Sequence, residues 1–175
     1  MKKIIKFGIM SLAVISLTAC HKGEVNIAKT MNVEFSDSKW DGKIIPKAEV
    51  CKWAGGNGST PELSISNIPS GTEKLIVLFN DKTYTKMDNG GHGQIGINIS
   101  ANQTNITIPS IQGETKIMPN NMFIHKEHIG LKRGKAGAYL PPCSGGKGNT
   151  YSATIKALDK NNQTLISKDI TMGKF

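Results

Sequence analysis

The sequence predicts an all-β fold, a mainly antiparallel β-sandwich with few short helices. Short runs of apolar or alternating residues recur along the 175-residue chain, and Gly, Pro and Asn clusters punctuate them. One run, residues 75–79 (Leu-Ile-Val-Leu-Phe), is continuously apolar, as expected of a strand covered on both faces. No repeat, coiled coil or second hydrophobic block is visible, and the length suits one domain with a real core.

Taken in order, residues 31–35 and 44–50 are short strand candidates flanking a turn at Asp41-Gly42. Residues 52–60 form a glycine-rich loop, and Pro61 opens a strand over 62–66. A turn at 67–71 leads into the central run 75–79. Residues 87–93 read as a loop, 94–100 as the next strand and 105–109 as a short one. From 110 to 137 the pattern weakens, and the reading places a single helical turn near 121–128. The stretch 138–159 is the most informative. A Pro141-Pro142-Cys143 turn runs into the loop Ser144-Gly145-Gly146-Lys147-Gly148 and then into an alternating strand, 151–158. Residues 164–172 read as a last strand.

The N-terminus carries an address. Lys2, Lys3 and Lys6 precede an apolar stretch, 7–17, too short to span a bilayer as a folded helix, so residues 1–19 read as an export signal. The Leu17-Thr18-Ala19-Cys20 run resembles the bacterial lipoprotein cleavage box, which implies lipidation of Cys20 and anchoring in a membrane of the cell envelope. An ordinary export signal is the alternative. His21, rather than Asp, follows the cysteine, which favours the outer membrane if the host has two. Residues 20–30 then form the tether and 31–175 the domain. Loss of three leader lysines lowers the formal charge from +9 to about +6, a surplus that suits anionic head groups or glycans. No basic stripe interleaved with aromatics points to nucleic acid.

Four stretches, in order, resemble the phosphatidylethanolamine-binding proteins, in particular their bacterial Raf-kinase-inhibitor-like branch. Asp41-Gly42 with Ile45-Pro46 is similar to the N-terminal strand pair of that family. Cys51 followed by Gly56-Asn57-Gly58-Ser59-Thr60-Pro61-Glu62-Leu63 resembles its Gly-Asn-x-Ser-Pro-x-Leu signature. Residues 67–98, with Pro69, Gly71-Thr72, Asp81 and Gly90-Gly91-His92, resemble the segment that carries its Asp and His. Tyr139, Pro141-Pro142-Cys143, Gly146, Tyr151 and Ala157-Leu158-Asp159 resemble its Gly/Pro-rich motif. The resemblance covers roughly residues 31–160. It implies a large antiparallel sheet packed on a smaller one, and a surface pocket for anions or phosphorylated head groups. Relatives continue with a helix and another strand, so the chain looks truncated beside them.

Carried over by residue, the pocket's Asp is Asp81, its His is His92 and the closing Tyr is Tyr151. Gly145 and Gly146 supply a loop whose backbone N–H groups form an anion nest. His92 donates one or two hydrogen bonds, with charge if a ligand phosphate raises its pKa. Asp81 either orients His92 or receives a head-group amine. Asn149 stands where the family has a second histidine, which keeps a neutral donor and loses the charge. Plainer roles stay open: Asp81 as a turn cap, His92 as a solvated loop residue, Tyr151 as core.

With Cys20 lipidated, Cys51 and Cys143 remain for a disulfide in an oxidising compartment, and family members often carry cysteines at both places. Free thiols or a metal pair are the alternatives. His125 and His128 would share a face of a helical turn, but no third ligand has suitable spacing, so neither a metal nor a cofactor is expected. Lys126, Lys132, Arg133 and Lys135, against Glu127 alone, form a basic run that either lines the route to an anion or is a solvated face. No Gly-x-Ser-x-Gly elbow is present and Ser144 would need His92 as its base with no orienting partner evident in the sequence, so the expectation is a non-enzymatic binding domain. A protein-interaction or inhibitor module with a vestigial pocket is the alternative.

Overall fold

The structure, a computed structural model, describes residues 30–175. Cys20, the leader and all but the last residue of the tether lie outside the described residues. Eight strands among the described residues build two antiparallel sheets. The smaller has the order β1 (Asn32–Phe35), β2 (Leu63–Ser66), β5 (Ile106–Ile108). The larger has the order β6 (Met122–Lys126), β4 (Gln94–Asn98), β3 (Lys74–Asp81), β7 (Thr150–Leu158), β8 (Thr164–Lys174).

The continuous apolar run does sit at the centre of the larger sheet. Leu75, Val77 and Phe79 face the main core together with Ile95, Ile97, Ala153, Ile155 and Ala157, and the smaller sheet meets them with Leu63, Ile65 and Ile108. Ile76 and Leu78 point the other way, into a small cluster with Leu158 that Phe123 partly covers. Burial on both faces removes any reason for alternation, which is why this strand reads as unbroken hydrophobicity. Trp40 and Tyr139 fill the same core from the connections.

Two elements differ from expectation. Residues 44–50 are no strand: Ile44 makes one isolated bridge to Lys174, and a 3-10 turn follows at Lys47–Glu49. Pro46 has no N–H for a ladder, and Glu49 is drawn inward by Lys39 (2.8 Å) and by the Ser59 N–H (2.7 Å). Residues 122–126 are a strand instead of part of a helical turn. Asn121 takes a left-handed φ of 64° and β6 then pairs with β4. Phe123 lies across Gly96, where a Cβ would come within 2.1 Å of the ring. Glycine in β4 makes room for an aromatic that screens the outer face. The three helical segments of the described residues are single 3-10 turns, at Lys47–Glu49, Lys52–Ala54 and Thr85–Met87.

Cys51 and Cys143 are joined, with Cα atoms 5.3 Å apart and a sequence separation of 92 residues. Cys51 is fully buried and its N–H donates to the Pro142 carbonyl (3.0 Å), so the bond staples the 52–60 loop to the Pro-Pro-Cys turn. Closing a loop of this size restricts the unfolded chain, worth about 4 to 5 kcal/mol in the chain-entropy picture. Replacing both cysteines by alanine should therefore lower the unfolding free energy by up to about 4 kcal/mol in a urea titration. A change below 1 kcal/mol would mean that the staple is redundant with the surrounding packing.

Candidate functional site

A cleft of about 670 Å³ opens where the C-terminal end of β3 meets the N-terminal end of β7. The antiparallel register sets Asp81 opposite Tyr151. Asp81, His92, Asn149 and Tyr151 all line the cleft, so two distant stretches, 81–92 and 149–151, come together as the pocket reading requires. Gly145 and Gly146 do not line it. They are exposed on the loop above, both with left-handed φ, while Ser144 and Lys147 of the same loop face the cleft.

The loop after β3 folds back because of Asn80, on the outer face. Its amide donates to Ser152 (3.2 Å) and Thr154 (2.9 Å) of β7, and its carbonyl accepts the Gly90 N–H (2.8 Å). Gly91 then passes so close to Met87 that a Cβ would meet the Met87 Cα at 2.4 Å. This fixes His92 at the cleft floor, only 4% exposed.

Asp81 is both turn cap and cleft residue. Its Oδ1 accepts the N–H groups of Thr83 (2.9 Å) and Tyr84 (3.0 Å), and its Oδ2 accepts the Asn149 amide (2.6 Å). It does not orient His92. The imidazole Nδ1 lies 2.7 Å from the Leu140 carbonyl, and the His92 backbone carbonyl accepts the Leu140 N–H in turn (2.9 Å). A carbonyl cannot donate, so Nδ1 carries a proton. Burial pushes the His92 pKa down to about 4; the Leu140 bond and the Asp81 charge pull the other way, and His128 adds to the fall. Without a ligand phosphate to raise its pKa, His92 is thus a neutral ring at pH 7. His92 is not a solvated loop residue either.

Tyr151 belongs to core and cleft alike. Its ring packs edge-on to His92 (centroids 5.3 Å, 89°), and its hydroxyl accepts the Cys143 N–H at 3.3 Å. Burial raises its pKa, so the phenol keeps its proton. The Ser144 hydroxyl donates to the Phe175 carbonyl and is not directed at His92. Phe175 also donates its N–H to the Asn149 carbonyl (3.0 Å), so the residue after β8 backs this end of the cleft.

Four exposed cations line the mouth: Lys86, Lys132, Arg133 and Lys147. Two come from the basic run, whose Lys126 and Lys135 do not reach the cleft. Lys86 and Lys147 went unnoticed in the sequence, although Lys147 stands inside the glycine loop. Arg133 stacks on Trp53, its guanidinium carbon 3.5 Å from the ring centroid, and Trp53 in turn covers Gly145. His125 is exposed on β6, whereas His128 is buried with Nε2 against the Lys135 carbonyl (2.6 Å).

No family profile matches the chain, and no curated protein matches it in sequence. A solved structure matches in shape. It is a protein of Chlamydia trachomatis described as a homologue of the phosphatidylethanolamine-binding proteins, 20% identical, with a TM-score of 0.53 over 83% of this chain and 96% of that one. The fold is that of the phosphatidylethanolamine-binding proteins. Within this phosphatidylethanolamine-binding-protein fold, the cleft lies where the strand carrying Asp81 and the Gly/Pro-rich motif converge.

Two outcomes follow from the floor. The unfolded His92 titrates near its ordinary value of 6.5 and the folded one near 4, so between those values the unfolded chain binds more protons. Its contribution is fully present above pH 6.5 and is lost as the pH falls to 4, up to roughly 3 kcal/mol. Urea midpoints at pH 7, 5.5 and 4.5 should fall in step, and His92→Gln should flatten that part of the profile. Tyr151→Phe leaves the buried Cys143 N–H without an acceptor and should cost about 1–3 kcal/mol; a neutral substitution, read by thermal melting, would show that water replaces the phenol.

Proposed function

We propose that the chain is a membrane-anchored, non-enzymatic binding domain that takes small anionic or phosphorylated ligands, or lipid head groups, in this cleft. The observation that carries the reading is the cleft itself, in which the four residues of the family resemblance gather beneath four exposed cations. Among the described residues none of the four cations is ion-paired, so their charge is available to a ligand. Their joint field raises the local anion concentration. The non-enzymatic part rests on Ser144, whose hydroxyl is engaged by Phe175 and has no base aimed at it. Anchoring rests on Cys20 and its cleavage box, which would hold the cleft close to a bilayer of the bacterial envelope and, by His21, the outer membrane.

A second reading has its own support. Ile129 and Leu131 are 54% and 63% exposed on the segment that supplies Lys132 and Arg133, beside the half-exposed Trp53. Apolar and cationic groups mixed in this way also suit a protein partner, and the cleft would then be vestigial. A partner lost on Lys132→Glu/Arg133→Glu and kept by Asp81→Asn would favour it.

The test is calorimetric titration of the full chain in neutral detergent with inorganic phosphate and with propyl phosphate at pH 7. Saturable binding is expected, weakened at least tenfold by Lys132→Glu/Arg133→Glu, because each exposed charge contributes up to about 1 kcal/mol. Heat that never saturates, or affinity unmoved by the charge reversal, would refute the anion-binding reading.

A further inference from the structure

Trp53 has no part in the anion-binding reading, yet it ties together the loops at the mouth of the cleft. It sits in the 3-10 turn Lys52–Ala54, directly after the buried Cys51. Trp53 lies two residues past Cys51 and Gly145 two residues past Cys143, so the Cys51–Cys143 bond sets the indole against the glycine loop. A Cβ on Gly145 would stand 3.1 Å from Cζ3 and 3.3 Å from Cη2 of the ring. From the other side, Arg133 of the basic run stacks its guanidinium on the same indole, with the guanidinium carbon 3.5 Å from the ring centroid.

That distance settles how the two groups face each other. An edge-on guanidinium with its carbon 3.5 Å above the centroid would drive a nitrogen into the ring, so the two planes lie face to face. The N–H groups of a guanidinium all lie in its plane. The indole therefore occupies a face and none of the donors, and no ion pair among the described residues engages them. Arg133 lines the cleft and Trp53 behind it does not, so the donor edge borders the cleft. Such an edge matches an oxyanion, which takes two parallel hydrogen bonds from it. Lys86, Lys132 and Lys147 carry their charges on flexible stems and have no fixed fork.

We propose that Trp53 is a positioning residue of the cleft: it holds Arg133 flat, so that the guanidinium is a fixed fork for one oxyanion group, phosphate or carboxylate, at the mouth. This rests on the anion-binding reading and gives it a direction that the joint field of the cations lacks. An arginine free in solvent must be ordered by its ligand, which weakens binding, whereas the indole has imposed that order beforehand. Gly145 belongs to the same arrangement, because a side chain there would press on the ring edge beneath Arg133.

The test is a double-mutant cycle read by calorimetric titration of the full chain in neutral detergent with inorganic phosphate at pH 7. Trp53→Leu keeps every charge and an apolar side chain, and should weaken binding about threefold to fivefold. Arg133→Lys also keeps the charge and should weaken it by a similar factor. Because the two side chains act as one unit, the double variant should lose no more than the larger single loss. Trp53→Tyr, which restores a ring face, should recover most of the affinity. Either single variant at wild-type affinity, losses that multiply in the double variant, or no recovery with tyrosine would overturn the fork and leave the anion-binding reading standing. Arg133→Lys changes one exposed side chain, so it decides between charge and fork even if Trp53→Leu fails to fold. Absence of phosphate binding to the unmodified chain would overturn both.

Discussion

The pairing of β3 with β7 is the constraint on which the rest of the molecule depends. It runs unbroken from Lys74–Leu158 to Asp81–Tyr151, in the middle of the larger sheet. Because side chains alternate across a strand, a slip of one residue would turn Leu75, Val77 and Phe79 out of the main core and carry Asp81 to the opposite face. Apolar burial on both sides of β3 thus fixes where the cleft's carboxylate lies. Chemistry at the end of the strand inherits its precision from hydrophobic packing in the middle.

Around that anchor the cleft is assembled by contacts that are not themselves chemical. The Asn80 amide ties the 82–91 loop down over β7, and the Cys51–Cys143 bond ties the Pro-Pro-Cys turn to the 52–60 loop. The reciprocal bonds between His92 and Leu140 join these two halves. His92 is consequently more a keystone than a reagent. Its ring is used up internally on one side, and burial keeps it uncharged on the other.

Much of this was legible in the sequence, for physical reasons that differ by element. The run 75–79 and the alternation over 151–158 announced the central strands because burial on two faces or one writes a distinct period. Residues 44–50 misled because their apolar positions serve irregular packing around Glu49 and not a ladder. Residues 121–128 misled because β6 earns its place by one long-range contact, Phe123 over Gly96, which no local pattern reveals. Asp81, His92, Asn149 and Tyr151 were found through the motifs. Which nitrogen of His92 remains free was not, since it depends on the Leu140 carbonyl, 48 residues away. The glycine loop was expected to face the ligand with Gly145 and Gly146, and instead it presents Ser144 and Lys147.

The two tryptophans sit in opposite surroundings. Trp40 is 3% exposed in the core, while Trp53 is 55% exposed at the cleft mouth, clasped between Arg133 and Gly145. A guanidinium held over an indole face is attracted by the ring, and an anion that drew Arg133 toward itself would loosen that stack. Trp53 would therefore report optically on an anion that drew Arg133 away, with the buried Trp40 as a reference.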